Sequence, residues 1–175
     1  QEHDWPITLA TISGIDIVVR ENTDHQSPFA SEQFSIGYRM PILETASGLC
    51  MLAHMPTKRQ KLILKTLAKT NNDPKKIVNN TAVLEKKLVK ILNQGFSVKN
   101  RARRFDDLTA MSVPIITEEE VVRGALTIRY SRSAIALEQA VAKFVPSLMK
   151  TSLEIASRIN LHINRQQSLN NKGPY

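Results

Sequence analysis

Two patterns of apolar and polar positions follow one another along the chain, one with the period of a strand and one with the period of a helix. Near the start, "ITLATI" and "DIVVRE" are rich in β-branched residues, and Gly14 between them suits a tight turn, so the pair predicts a β-hairpin. The polar stretch "NTDHQSPFAS" after it predicts a loop. Five strands are predicted in all: Ile7–Ile12, Asp16–Glu21, the short "FSVKN", Leu108–Ile116 and Val121–Tyr130.

Four segments have helical spacing instead. "ETASGLCMLAHM" predicts a helix that either Thr45 or Ser47 caps and that Pro56 ends. The next two predict amphipathic helices, the first with Leu62, Ile63 and Leu67 on its apolar side and the second with Leu84, Leu88 and Ile91 and a left-handed cap at Gly95. The last begins near Leu137 and bends at Pro146, with an apolar stripe formed by Val141, Val145, Leu148, Ser152, Ile155, Ile159 and His162.

The order of these elements predicts the fold class. Strands joined by hairpins form antiparallel sheets, and helices between two groups of strands pack on the faces of such a sheet. We therefore predict an α+β domain over residues 1–165, with helices on the faces of an antiparallel sheet and a long C-terminal helix, followed by a polar tail at 166–175.

The strand "GALTIRYSRSA" raises a question of function. Strand side chains alternate between two faces, so Leu126, Ile128 and Tyr130 share one face while Thr127 and Arg129 share the other. Either the second face is exposed to solvent, or it lines a site in which the Arg129 guanidinium binds an anion.

Composition narrows the choices of partner and compartment. The chain has 175 residues, one cysteine and a formal charge of +8, and no apolar run spans a bilayer. We predict a cytoplasmic protein with no membrane partner, and the missing initial methionine suggests a piece of a longer one. The charge raises nucleic acid as a partner through the dense basic run Lys99–Arg104, although that run has no interleaved aromatic residues.

Motifs for catalysis are weak. There is no nucleophile elbow, no glycine loop for phosphate and no metal-ligand spacing among the histidines. Cys50, His54 and His162 all fall in helical runs that suit structural roles. We predict no enzyme activity, no metal and no cofactor.

Several motifs along the chain can be compared with those of known proteins. "IGYRMPILETASGLCMLAHMP" resembles the strand-to-helix signature of IclR-type bacterial transcription regulators, and "ILNQGFSV", "AMSVPI" and "VVRGALTIRY" resemble its later motifs in order. The signature positions are Gly37, Arg39, Pro41, Ala46, Gly48, Leu52 and Ala53. "WPITLAT", "DIVVRE" and "ETASGL" look closest to the subgroup that regulates breakdown of hydroxyphenylpropionate-type aromatic acids.

The resemblance implies a GAF-like effector-binding domain. Family members carry an N-terminal winged helix-turn-helix, which is absent from this chain, so DNA binding would belong to the parent protein. The parent would be a homodimer or homotetramer whose DNA binding or activation responds to a small organic acid.

The resemblance also implies a set of effector-binding residues. Carried over by position, these are the backbone amides of Ala46 and Ser47 and the strand residues Ala110, Thr127 and Arg129, with Lys99 or Asn100 opposite. A guanidinium at that place can hold a carboxylate through two parallel hydrogen bonds.

The chain departs from the family pattern in ways that bear on ligand size. Some members have an acid near Lys99, a cysteine at Ala110 and a serine at Arg129. These differences predict a more cationic and roomier pocket, suited to an aromatic acid whose ring Phe29 and Phe34 could contact. Both phenylalanines could equally be plain core, and a GAF-like scaffold that only oligomerises, its cavity empty or filled by side chains, remains the alternative to a sensor.

Overall fold

A single antiparallel sheet organises the molecule, whose computed structural model describes residues 4–30, 33–70, 80–103 and 106–170. Its six strands lie in the order β3-β2-β1-β6-β5-β4. They are β1 (Ile7–Ser13), β2 (Asp16–Asn22), β3 (Arg39–Pro41), β4 (Ser97–Arg103), β5 (Asp106–Ile116) and β6 (Val122–Ser131). The predicted strands and the first hairpin are confirmed, and β3 is an edge strand too short for alternation to reveal.

The helices also follow the prediction. They are α1 (Ala46–His54), α2 (Thr57–Lys69), α3 (Thr81–Gln94) and α4 (Leu137–Asn170). Gly95 ends α3 in the left-handed region, at φ +81°. Helix α4 continues through Pro146 to Asn170, into the segment predicted as a polar tail. No helix in the described part of the chain is both long and apolar enough to cross a membrane.

Helices cover both faces of the sheet, which confirms the predicted α+β layering. On one face, Leu126, Ile128 and Tyr130 of β6 pack with Phe144 and Leu148 of α4 in one buried cluster. On the other face, the cluster is built from α1, the buried sides of α2 and α3, and Ala10 and Ala125 of the sheet. The two clusters bury the same strand from both sides, so no face of β6 is left for solvent.

Two predicted apolar stripes are corrected. In α2, Ile63 and Leu67 are buried but Leu62 is 65% exposed, because α2 touches the core along a narrow line. In α4 the predicted Leu148 and Ser152 are buried, and Val141, Val145, Ile155 and Ile159 are partly buried against the same cluster, but the stripe is wider than predicted because Ala140, Phe144 and Ala156 are buried too. His162 is exposed and lies within 3.0 Å of the Gln166 amide, since α4 has by then left the sheet.

Candidate functional site

A cavity of about 330 Å³ lies between the start of α1 and the sheet. We call it the α1–β6 cavity. It is lined by Thr8, Ala10, Phe34, Tyr38, Arg39, Met40, Pro41, Glu44, Thr45, Ala46, Ser47, Lys99, Asn100, Ala110, Thr127 and Arg129. The lining comes from five strands, the start of α1 with the turn before it, and the segment before β3, so the fold assembles it from distant parts of the chain.

The start of α1 contributes backbone amides. Thr45 is the N-cap and its hydroxyl accepts a hydrogen bond from the Gly48 N–H at 3.0 Å. Within the described residues, neither the Ala46 N–H nor the Ser47 N–H donates a hydrogen bond. Two backbone donors and the positive end of a helix therefore border the cavity, a combination that suits a carboxylate.

Close packing holds this helix end in place. A Cβ added to Gly48 would lie 1.9 Å from the Ile42 carbonyl oxygen, so only glycine allows the backbones to approach this closely. The Ser97 hydroxyl of β4 donates to the Ala46 carbonyl at 2.6 Å. Helix α1 is thereby fixed against both the preceding turn and the sheet.

A row of four hydroxyl residues crosses the sheet beside the cavity. Strand register pairs Thr8 with Thr127, Thr127 with Ser112, and Ser112 with Ser97. The Thr127 hydroxyl donates to Ser112 at 3.0 Å, and Ser112 donates to the Leu126 carbonyl at 3.1 Å. The Thr8 hydroxyl is buried and has no hydrogen-bond partner among the described residues, although Thr8 lines the cavity.

The next row carries the basic residues. Arg129 pairs with Ala110 and Ala110 with Lys99, so the register puts Lys99 on the cavity face. Its ammonium donates to the Leu43 carbonyl at 2.9 Å. Asn100, the other candidate, lines the cavity but is exposed, and its amide oxygen accepts from Thr109 at 3.2 Å.

This orientation of Lys99 bears on the nucleic-acid alternative. Its ammonium is turned toward the cavity, so it does not extend an exposed basic run. The side chains of Arg101 and Arg103, together with Arg104, lie outside the described residues. The remaining part of the predicted Lys99–Arg104 surface is therefore untested.

Arg129 is buried, which decides the question raised by its strand. The residue is 4% exposed and Thr127 is 8% exposed, so the interpretation in which this face meets water is wrong. The guanidinium already has an anionic partner within the protein, however. Its Nη2 donates to the Oδ1 of Asp24 in an ion pair whose side chains are 5% and 1% exposed.

The two predicted aromatic residues separate in the structure. Phe34 lines the cavity, stacks with Tyr38 at 5.3 Å between ring centroids, and has the Arg129 guanidinium 4.6 Å from its own centroid. The structure does not bring Phe29 to the cavity. Phe29 is 49% exposed and packs on Trp5 at 4.5 Å between centroids.

Carboxylates offset the basic residues around the cavity, which corrects the predicted cationic pocket. Arg129 is paired with Asp24, and Arg39 is paired with Asp16 at 3.0 Å. Glu44 lies in the lining with Lys99. Within the described lining, two of the three basic side chains are thus in ion pairs with aspartates, and the third, Lys99, donates to a backbone carbonyl. Anion affinity has to come mainly from the helix end, not from net charge.

Cys50 and His54 have structural roles. Cys50 is fully buried, and burial raises the pKa of its thiol to about 12, against a smaller lowering effect of the neighbouring polar groups of Ser112 and Ser97. The Nδ1 of His54 lies 2.8 Å from the Cys50 carbonyl oxygen, within the same helix. Neither side chain lines the cavity.

Burial of Cys50 predicts a resistant thiol. In the folded protein at pH 8, a thiol with a pKa of about 12 is almost entirely protonated, and only the thiolate reacts. Labelling by a soluble disulfide reagent should therefore be at least about 100-fold slower than in urea-unfolded protein. A native rate close to the unfolded rate would show that Cys50 is accessible.

Most of the predicted site residues come together, and some site residues were missed. Ala46, Ser47, Asn100, Ala110, Thr127, Arg129 and Phe34 all line the α1–β6 cavity. The missed residues include Thr8 and Tyr38 of the lining and Asp24 beside Arg129. Alternation along β1 places Thr8 on the other face of the strand from Ile7 and Leu9. Thr8 reaches the cavity only because β1 pairs with β6, which the local sequence does not indicate.

The chain also resembles known proteins. Residues 2–157 match the family described as "Bacterial transcriptional regulator IclR C-terminal". The chain belongs to this family. That membership and the α+β fold confirm the family inferred from the signature motifs, whereas the comparisons leave the aromatic-acid subgroup a prediction.

One curated relative of this IclR-family chain is the "Probable transcriptional regulator SauR" of Cupriavidus necator. It is 24% identical over 140 residues, which are 80% of this chain and 54% of SauR. The chain thus spans about half the length of this relative. The proteins that it matches are transcriptional regulators rather than enzymes.

Solved structures share the fold. IclR of Thermotoga maritima superposes with a TM-score of 0.71 at 20% identity, covering 89% of this chain and 61% of that one. The C-terminal domain of KdgR from E. coli has a TM-score of 0.69 at 23% identity, covering 88% and 87%. A double mutant of the PobR inducer-binding domain from Acinetobacter, in complex with 3-hydroxybenzoic acid, has a TM-score of 0.66 at 15% identity, covering 89% of each chain.

Proposed function

We propose that this chain is the effector-sensing domain of its regulator and that the α1–β6 cavity binds a small organic carboxylate. One observation carries the proposal: unused backbone donors at the start of α1 and the unpartnered Thr8 hydroxyl border the same cavity. Buried polar groups are costly unless they are hydrogen-bonded. A carboxylate bonded to the helix end, with a polar contact to Thr8, would satisfy both.

An aromatic acid fits the remaining lining. Stacked Phe34 and Tyr38 offer a flat apolar surface, and Ala10, Met40 and Ala110 leave space beside it. A volume of about 330 Å³ is at the lower end for ligand pockets, which favours a ligand with one ring. The complex of the PobR domain with 3-hydroxybenzoic acid supports the same class of ligand.

The bound acid would act through the longer parent protein. A ligand shifts an equilibrium between two conformations only by its different affinity for them. We propose that the parent is a cytoplasmic homodimer or homotetramer and that occupancy of the cavity changes how its N-terminal domains bind DNA. Because the space between Ser47 and Thr127 is open to the cavity and not filled by side chains, an oligomerisation scaffold is the weaker proposal.

Calorimetry tests this function directly. Benzoate and 3-hydroxybenzoate are titrated into the chain, with benzamide and 3-hydroxybenzamide as uncharged partners of the same shape. We expect each acid to bind at least about 10-fold more tightly than its amide, since charge-assisted hydrogen bonds are roughly twice as strong as neutral ones. No binding by either acid, or equal affinities for acid and amide, would refute the proposal.

Thr8→Val separates ligand contact from stability. The substitution replaces a buried, unpartnered hydroxyl with a methyl group of the same shape. We expect the free energy of unfolding to rise by about 1 kcal/mol while affinity for benzoate falls by about 5-fold or more. Urea unfolding and calorimetry measure the two effects. A loss of stability together with unchanged affinity would mean that Thr8 is structural only.

A further inference from the structure

The buried ion pair between Asp24 and Arg129 involves a carboxylate that belongs to the protein. Arg129 lines the α1–β6 cavity, while Asp24 is not among the described residues that line it. The two are 105 positions apart in sequence, and both side chains are almost fully buried. The guanidinium bordering the cavity is therefore already bound to an anion.

Local hydrogen bonds hold Asp24 in that place independently of Arg129. The Asp24 N–H donates to the Asn22 side-chain oxygen at 3.0 Å, and the Phe34 N–H donates to the Asp24 Oδ2 at 2.8 Å. The Asn22 amide in turn donates to the Phe34 carbonyl at 2.7 Å. The Asp24 carboxylate is thus fixed by the backbone of the segment that also positions the Phe34 ring.

From this arrangement we infer that Asp24 is a specificity-determining residue, an internal carboxylate that restricts the cavity to ligands with a single negative charge. The inference rests on the proposed function, in which the ligand carboxylate binds at the start of α1. A second carboxylate directed at Arg129 would either lie beside the buried Asp24 charge or displace it. Both arrangements leave one buried carboxylate without a full counter-charge, and such a charge is strongly unfavourable.

The exposed pair of Arg39 and Asp16 provides a matched contrast. It also joins an arginine of the lining to an aspartate, with Nη2 and Oδ2 3.0 Å apart, but its side chains are 53% and 24% exposed. Solvent screens such a pair and can hydrate a charge that is left over. The charge of the ligand should therefore affect its affinity through Asp24 and not through Asp16.

The test compares ligands that differ in one charge and keep the same shape. Benzene-1,4-dicarboxylate is compared with 4-carbamoylbenzoate, and benzene-1,3-dicarboxylate with 3-carbamoylbenzoate, by calorimetry at one ionic strength. For the wild type we expect each dicarboxylate to bind at least about 10-fold more weakly than its monoamide. In Asp24→Asn this ratio should shrink by about 10-fold, whereas Asp16→Asn should leave it within about 2-fold.

Each outcome has a distinct meaning. Wild-type protein that binds dicarboxylate and monoamide equally well overturns the inference about Asp24 and leaves carboxylate binding intact. A folded Asp24→Asn variant that keeps the wild-type ratio of monoamide to dicarboxylate affinity also overturns the inference about Asp24. Failure of every acid to bind overturns the proposed function and this inference together. If Asp24→Asn does not fold, the ratio of monoamide to dicarboxylate affinity in the wild type alone tests the inference.

Discussion

Gly48→Ala is expected to unfold the domain or to leave it barely folded. The added Cβ would lie 1.9 Å from the Ile42 carbonyl oxygen and 2.8 Å from the Thr45 hydroxyl oxygen. The nearest atom is backbone, so it cannot rotate away, and α1 would have to shift from its place against β4 and the preceding turn. Overpacking costs about 1–3 kcal/mol where neighbours can adjust, and we expect at least about 3 kcal/mol here.

Urea unfolding with Gly14→Ala as the control measures this effect. Gly14 has φ +65° and open space around its Cβ position, so its substitution carries only backbone strain. That strain is about 1–2 kcal/mol. A Gly48→Ala variant as stable as Gly14→Ala would mean that α1 can move freely, and the cavity wall would then lack the rigidity described above.

Arg129→Met is expected to destabilise the domain by about 3–5 kcal/mol, because it leaves the buried Asp24 carboxylate without its counter-ion. The Phe34 N–H would remain as a partner of Asp24 but carries no charge. The double variant Asp24→Asn/Arg129→Met removes both charges and should recover more than half of the loss. Urea unfolding of the two single variants and the double variant gives the coupling.

Arg39→Met is the control for this cycle. Arg39 forms the exposed pair with Asp16, and exposed pairs contribute about 0–1 kcal/mol. If Arg129→Met lost no more stability than Arg39→Met, the Asp24–Arg129 pair would not be the buried contact that the structure contains.

Alternation and helical spacing predicted most of the fold, because burial on one face is a local property of the sequence. The β1–β2 hairpin, the α1 start at Thr45 and the Gly95 cap all follow from residues within a few positions of one another. Which residues of the α4 stripe are buried most deeply could not be predicted in this way. Apolar residues such as Val141 and Ala140 lie next to each other there, and only packing against β5 and β6 selects between them.

The site residues that lie in family motifs could be predicted from the sequence. Those that reach the site through contacts between distant segments could not. Ala46 and Ser47 lie in the signature, and Thr127 and Arg129 lie in a strand whose alternation is plain. Asp24 lies in a polar stretch that reads as a loop, and nothing local links it to a residue 105 positions away. Its omission made the pocket look more cationic than it is.

The most direct measurement is a titration of the isotope-labelled chain with benzoate, followed by nuclear magnetic resonance of the backbone amides. If a carboxylate binds at the start of α1, the Ala46 and Ser47 N–H protons should shift downfield in proportion to occupancy, as hydrogen bonds to an anion form. The Gly48 N–H, which already donates to Thr45, should move less. Saturable shifts that leave Ala46 and Ser47 unchanged would place the ligand elsewhere and contradict the account.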